Sequence, residues 1–155
     1  MSNKNVTVPL DTTGEDELQV GPDLLPGTRY QLEYPLGEGG TGQVYRGTHL
    51  ELGKPVAIKV LLSEVSNISD YSSRFRREAR AASSIQHPGV VAVTDFGEAD
   101  DGRLFLVMEL IEGQTLAEAI QHGPLDPSRA LEIAARLCDV LEAVHDAGIV
   151  HRDVK

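Results

Sequence analysis

A single cysteine, Cys138, stands among 155 residues, so the chain can close no disulfide within itself and offers no CxxC or Cys/His set for zinc. A reducing compartment, the cytoplasm, is the simple inference, with Cys138 expected as small core filler. Cations are also scarce: 14 Lys and Arg face 24 Asp and Glu, for a formal net charge of -10. A protein that grips nucleic acid by its phosphates needs a concentrated basic surface. The cationic cluster Arg74, Arg76, Arg77 and Arg80 reads instead as one helix face. No apolar run approaches the roughly 20 residues needed to span a bilayer, and Met1-Ser2-Asn3-Lys4-Asn5 has no hydrophobic signal region behind it. What the chain does have is 41% apolar residues, enough to bury one ordinary core.

Composition shifts once, near Gly27. Residues 1–27 carry Asp11, Glu15, Asp16, Glu17 and Asp23 against Lys4 alone, with few apolar groups to offset the entropy of ordering. Residues 1–29 are therefore expected to be an acidic, flexible leader. From Tyr30 onward, β-like runs come at close spacing: Tyr30 to Glu38, Gln43 to His49, Pro55 to Leu61, Val90 to Phe96 and Leu104 to Glu109. One helix interrupts them, from about Ser69 to Ile85, with Phe75, Ala79, Ala82 and Ile85 as an apolar stripe. After Gly113 the pattern turns helical. A short helix fits Thr115 to Gln121, and a longer one takes Asp126 as N-cap and Pro127 at its first position, running to Ala147 and ending at Gly148. Five strands with one helix, followed by helices, predict an α+β fold in two lobes.

The chemistry-bearing residues form an ordered series: Gly37-x-Gly39-x-x-Gly42-x-Val44, then Val56-Ala57-Ile58-Lys59, then Glu78, then His151-Arg152-Asp153-Val154-Lys155. A dinucleotide fingerprint would need its glycines to open a helix, with an acidic residue about 20 positions on. Here Gly42 leads into Gln43-Val44-Tyr45-Arg46-Gly47, which reads as a strand. A P-loop would need Gly-Lys-Ser/Thr, which is absent. What remains is a hairpin whose glycines let backbone N–H groups approach a triphosphate. In the strand at 56–61, a period of two puts Val56, Ile58 and Val60 on one face and Ala57, Lys59 and Leu61 on the other. A small residue beside a lysine suits a surface where a flat base stacks while an ammonium reaches phosphates; the plain alternative is an exposed lysine on a strand. Glu78 borders the stripe of Phe75, Ala82 and Ile85, where an unpaired carboxylate would be costly to desolvate, so it needs a cation. Glu64, five residues past Lys59, is the competing partner for that lysine.

In this order the motifs resemble the serine/threonine protein kinases, most closely the bacterial members of that family, over roughly residues 30–155. The resemblance implies a kinase-like two-lobe fold: a five-stranded antiparallel N-lobe sheet with one αC-type helix over about 30–109, a hinge at about 109–113 and a partial C-lobe over 114–155. It implies ATP and Mg2+ as cofactors and Ser/Thr-bearing proteins as substrates, in the cytoplasm or as the cytoplasmic part of a membrane-anchored kinase. ATP would be held by Leu36, Gly37, Glu38, Gly39, Gly40, Thr41, Gly42, Gln43, Val44, Ala57 and Lys59, with Met108 as gatekeeper and the backbones of Glu109 and Ile111 at the adenine edge. Lys59 would pair with Glu78 and position the phosphates. Asp153 would accept the substrate hydroxyl's proton, and Lys155 would neutralise charge on the transferring phosphoryl group. Arg152 would pair with a phosphorylated activation loop.

Asp95-Phe96-Gly97 spells the family's magnesium-binding triplet but stands before the hinge segment rather than after the catalytic loop. It is expected to be a strand end. His49, His87, His122, His145 and His151 are expected to be packed structural residues. No catalytic-loop Asn and no later metal-binding triplet follow Asp153, so the magnesium ligands are expected downstream and the fragment itself is expected to lack efficient phosphotransfer. The helix from Asp126 carries Leu131, Ile133, Ala134, Leu137, Cys138, Leu141 and Val144, more apolar surface than its neighbours can cover. The alternative is a non-catalytic regulatory module that binds nucleotide or a partner through that helix.

Overall fold

The computed structural model describes residues 23–61, 69–121 and 123–150. The chain divides into two compact units, residues 1–79 with 93–110 and residues 80–92 with 111–155.

The first unit is a six-stranded antiparallel sheet of order β1-β2-β3-β4-β6-β5, formed by β1 (Asp23–Leu24), β2 (Tyr30–Gly39), β3 (Gly42–His49), β4 (Lys54–Leu61), β5 (Val93–Glu98) and β6 (Leu104–Glu109). Alternation decides what each strand buries. Val56, Ile58 and Val60 of β4 join Tyr30, Leu32, Phe105 and Val107 in one apolar cluster. The sheet curls around that cluster until β2, next to one edge, meets β5 at the other: the Tyr30 hydroxyl donates to Asp95 Oδ2 at 2.6 Å. Burial and this bond to a carboxylate both hold the phenolic proton, raising the Tyr30 pKa above its ordinary value.

The expected count of five strands is corrected to six. Asp23 and Leu24 pair with Leu32 and Gln31, and Leu25 is fully buried in the core. Apolar Leu24-Leu25, sitting inside an otherwise acidic stretch, is what ties the end of the expected leader down; residues 1–22 lie outside the described residues. The fifth strand is Val93–Glu98 rather than Val90–Phe96, with its pairing shifted between Val93 and Asp95. Helix α1 (Ser69–Ser83) buries Ala79 and presents Arg76 to Glu98 of β5 at 2.8 Å.

The second unit contains α2 (Leu116–Gln121) and α3 (Pro127–Asp146). A capping box starts α2: the Thr115 hydroxyl accepts from Glu118 N at 3.2 Å while the Glu118 carboxylate accepts from Thr115 N at 2.6 Å. Asp126 caps α3 by accepting from Ser128 N at 2.8 Å, with Pro127 at the first position. The helix ends in a Schellman turn in which Gly148, at φ 74, donates to His145 O and Ile149 donates to Val144 O. Only a residue without a Cβ adopts that φ without strain.

Within α3, Val144 is buried while Leu131 and Leu137 are exposed. Cys138 is exposed too, which corrects its reading as core filler. It lies on the uncovered side of the helix beside Leu137. His49 packs edge-on against Tyr30, with ring centroids 5.1 Å apart, and His87 accepts from Gly89 N at 3.1 Å. His145 is exposed. His122 and His151 lie outside the described residues.

Candidate functional site

The glycine-rich segment is the turn between β2 and β3, closed by the pairs Gly37–Val44, Glu38–Gln43 and Gly39–Gly42. Its glycines fall into two kinds. A Cβ on Gly42 would lie 2.3 Å from the Val60 carbonyl oxygen, so close backbone approach within the sheet requires that glycine. A Cβ on Gly37 or Gly40 would meet nothing within 4 Å, and one on Gly39 only the Gly42 carbonyl at 3.8 Å. None of these three adopts a left-handed φ. The protein itself therefore leaves room for side chains at positions 37, 39 and 40.

Cross-strand register places the remaining candidates. Val44 lies opposite Lys59 and Arg46 opposite Ala57 on the β3–β4 ladder, and on the β4–β6 ladder Lys59 lies opposite Leu106 and Ala57 opposite Met108. Directly opposed residues share a face. Val44, Ala57, Lys59, Leu106 and Met108 thus line one surface, the reverse of the one that carries Ile58 and Val107 into the core. Leu106 was not singled out from the sequence. Alternation along β6 groups it with Met108, but only the ladder shows that the pair lies beside Lys59 and Ala57.

Leu36 is the extra residue in an irregularity between Pro35 and Gly37, and it is half-buried. Glu38 and Thr41 are exposed at the turn, and Gln43 accepts from the Tyr45 hydroxyl at 2.6 Å. Glu109 ends β6 and Ile111 is exposed in the second unit.

Glu78 sits on α1 with its side chain exposed, and no ion pair joins it to Lys59 among the described residues. The desolvation argument for a necessary partner is corrected accordingly, because a solvated carboxylate needs no cation. Glu64 and the whole run His151 to Lys155, with Arg152, Asp153 and Lys155, lie outside the described residues.

Asp95 is occupied structurally. Besides the Tyr30 hydroxyl it accepts from Phe96 N at 2.9 Å, and a Cβ on Gly97 would touch Phe105 Cζ at 3.0 Å. Asp95 and Gly97 thus lie on the core side, opposite Val107 and Phe105, where Asp95 closes the sheet against Tyr30, whereas Phe96, opposite Leu106, shares the face of Lys59. A concavity of about 610 Å³ lies beside Asp95, lined in part by Arg29, Tyr30, Glu51 and Phe105, and none of the candidate residues borders it. Among the described residues no group of three or more His, Cys, Asp or Glu could hold a metal ion. No helix among them is long and apolar enough to cross a membrane.

The fold is a curled antiparallel sheet whose glycine hairpin runs directly into a lysine-bearing face. The model of the protein kinase domain matches residues 30–155. The chain is 44% identical over 137 residues to the serine/threonine-protein kinase pkn2 of Myxococcus xanthus, a match covering 88% of this chain and 16% of that protein. It is 43% identical over 128 residues to the serine/threonine-protein kinase PrkC of Bacillus subtilis, covering 82% of this chain and 20% of PrkC. Among solved structures, the kinase domain of Mycobacterium tuberculosis PknI is 28% identical with a TM-score of 0.70, matched over 85% of this chain and 54% of that one. The chain belongs to the protein kinase family, its fold is the α+β kinase fold, and its curated relatives are bacterial serine/threonine kinases. It spans only a small part of those relatives' length.

Proposed function

We propose that these residues are the nucleotide-binding part of an ATP-dependent serine/threonine kinase, with the first unit as N-lobe, the segment at about 109–113 as hinge, and 114–155 as part of the C-lobe. The single observation that carries this is the pairing of three glycines the protein does not need, Gly37, Gly39 and Gly40, with a face that aligns Val44, Ala57, Lys59 and Met108. Bare backbone at the hairpin gives N–H groups access to phosphate oxygens, and Lys59 supplies the compensating positive charge. Ala57 leaves space for a flat base between Val44 and Met108, with Leu36 at the hairpin's root and the Glu109 and Ile111 backbones at the base's edge.

The unpaired Lys59 and Glu78 are two separated members of an ion pair that closes when nucleotide is bound. In the complete protein Asp153 takes the proton of a substrate Ser or Thr hydroxyl. The hydroxyl oxygen bonds to the γ-phosphorus as the bond to the β-phosphate oxygen breaks, ADP leaves, and Lys155 offsets the charge that builds up. Magnesium, when bound, neutralises phosphate charge; its ligands are assigned downstream of these residues. The work is placed in the cytoplasm, where ATP is.

Titration of the chain with MgATP, followed calorimetrically, tests the reading. Lys59→Met is expected to weaken binding about tenfold or more, the worth of a hydrogen bond to a charged group, without lowering the melting temperature. Equal affinity in both proteins would sink the assignment.

A second reading, a non-catalytic regulatory module, is favoured by the exposed Leu131 and Leu137 on α3. The coding sequence after Lys155 separates the two: an Asn a few residues on and a later Asp-Phe-Gly support catalysis.

A further inference from the structure

Below its glycine turn, the β2–β3 hairpin has its ladder interrupted twice. Pairing is interrupted between Leu32 and Tyr34 and again between Pro35 and Gly37, so Glu33 and Leu36 are both extra residues. Between the two interruptions stand only the pairs Tyr34–Arg46 and Pro35–Tyr45, and Pro35 has no N–H to give. A hairpin with this backbone alone would twist and slide at its root, carrying the glycine turn with it.

Side chains replace what the backbone lacks. The carboxylate of Glu33, the extra residue of the first bulge, reaches across to β3 and holds two residues at once. Its Oε1 accepts from the Thr48 hydroxyl at 2.6 Å, and its Oε2 accepts from the Arg46 guanidinium. The guanidinium also lies 5.8 Å from the centroid of the Tyr34 ring. Arg46 and Thr48 flank Gly47, where the backbones pack closely: a Cβ there would lie 2.4 Å from the Gln31 carbonyl oxygen and 2.6 Å from Ile58 Cδ1. The Arg46–Glu33 pair is about three-quarters buried, at 29% and 25% side-chain exposure, so water competes for it less than for a surface pair. Alternation along β3 puts Arg46 and Thr48 on the face of Val44, the face that also holds Lys59.

We infer that Glu33, Arg46 and Thr48 form a clamp at the root of the glycine hairpin, positioning residues that fix where its backbone N–H groups sit over the phosphates of a bound nucleotide. The part concerning nucleotide rests on the ATP reading above; the part concerning the hairpin does not.

Hydrogen exchange followed by mass spectrometry, together with titrations of ATP and of adenosine, tests the clamp on the whole chain. Glu33→Gln and Thr48→Val are expected to speed exchange of the amides over 37–44 about tenfold while those of β4 and β6 keep their rates, as for local rather than global opening. ATP affinity is expected to fall about fivefold to tenfold, with adenosine affinity unchanged, because adenosine lacks the groups the hairpin covers. Thr48→Ser, which keeps the hydroxyl, is expected to restore both. Unchanged exchange over 37–44 in both variants overturns the clamp. Faster exchange with equal losses of ATP and adenosine affinity, or with none, overturns the positioning role. If the unaltered chain binds neither ligand, the ATP reading fails and the exchange data still decide whether the clamp exists.

Discussion

Ile58 and Leu131 are both aliphatic residues well inside regular elements, yet Ile58 is fully buried and Leu131 is 72% exposed. Ile58 has strands on both sides and the curled sheet over it, so its apolar area is removed from water by residues of its own unit. Leu131 sits on a helix whose described neighbours reach Val144 near its C-terminal end and leave much of the rest open. A sheet finds its partners through the backbone ladder and closes on itself, whereas a helix satisfies its backbone alone and still needs another surface for its stripe. An apolar pattern therefore promises burial in either element, but only the sheet carries its own means of delivering it.

The sharpest way to break that comparison is Ile58→Ala, expected to cost about 2–5 kcal/mol because the cavity cannot collapse within a ladder-bonded sheet. Urea unfolding followed by circular dichroism measures it, and a loss below about 1 kcal/mol would mean the sheet core is loose.

Next in size is Gly42→Ala, where the new methyl meets the Val60 carbonyl; about 1–3 kcal/mol of stability should go. Gly39→Ala is the contrast, with stability within about 0.5 kcal/mol of the parent. It is nonetheless expected to bind ATP about tenfold more weakly, as for a lost hydrogen bond to a charged group. Should the two substitutions act alike in both assays, the division into packing glycines and ligand-facing glycines fails.

Asp95→Ala leaves the buried Tyr30 hydroxyl without its acceptor, an expected loss of about 1–3 kcal/mol, while the magnesium dependence of nucleotide binding stays as it was. The Tyr30 pKa is raised on folding, so the folded state holds that proton more tightly. The resulting stability is fully present below the ordinary tyrosine pKa of about 10 and drains away as pH climbs past it. Thermal melts from pH 8 to 11 should show that decline, and Tyr30→Phe should remove it.

The smallest effect is expected for Leu131→Ala, within about 0.5 kcal/mol, since little area there is withdrawn from water. A larger loss would show that residues outside those described cover α3.

Much of this was legible beforehand because its physics is local. Alternation in β4 separated Ala57 and Lys59 from Val56, Ile58 and Val60, and the Asp126-Pro127 start and Gly148 stop of α3 follow from orphan N–H and C=O groups at helix ends. That Glu78 is exposed was not legible, because an apolar stripe on one side of a helix says little about a residue at its margin. Leu25 was hidden by the acids around it, and no pattern marks Glu33 as a bulge, because a bulge is a relation between two strands.

The amino-acid sequence alone determined the family, the order of elements, the strand faces and the helix ends, each set by residues near one another along the chain. Tertiary structure decided which glycines answer to packing and which have open space beside them, that Asp95 closes the sheet against Tyr30 across 65 residues, and that Glu33 ties Arg46 to Thr48. Those outcomes depend on register and curl, which pairing between distant segments alone can fix.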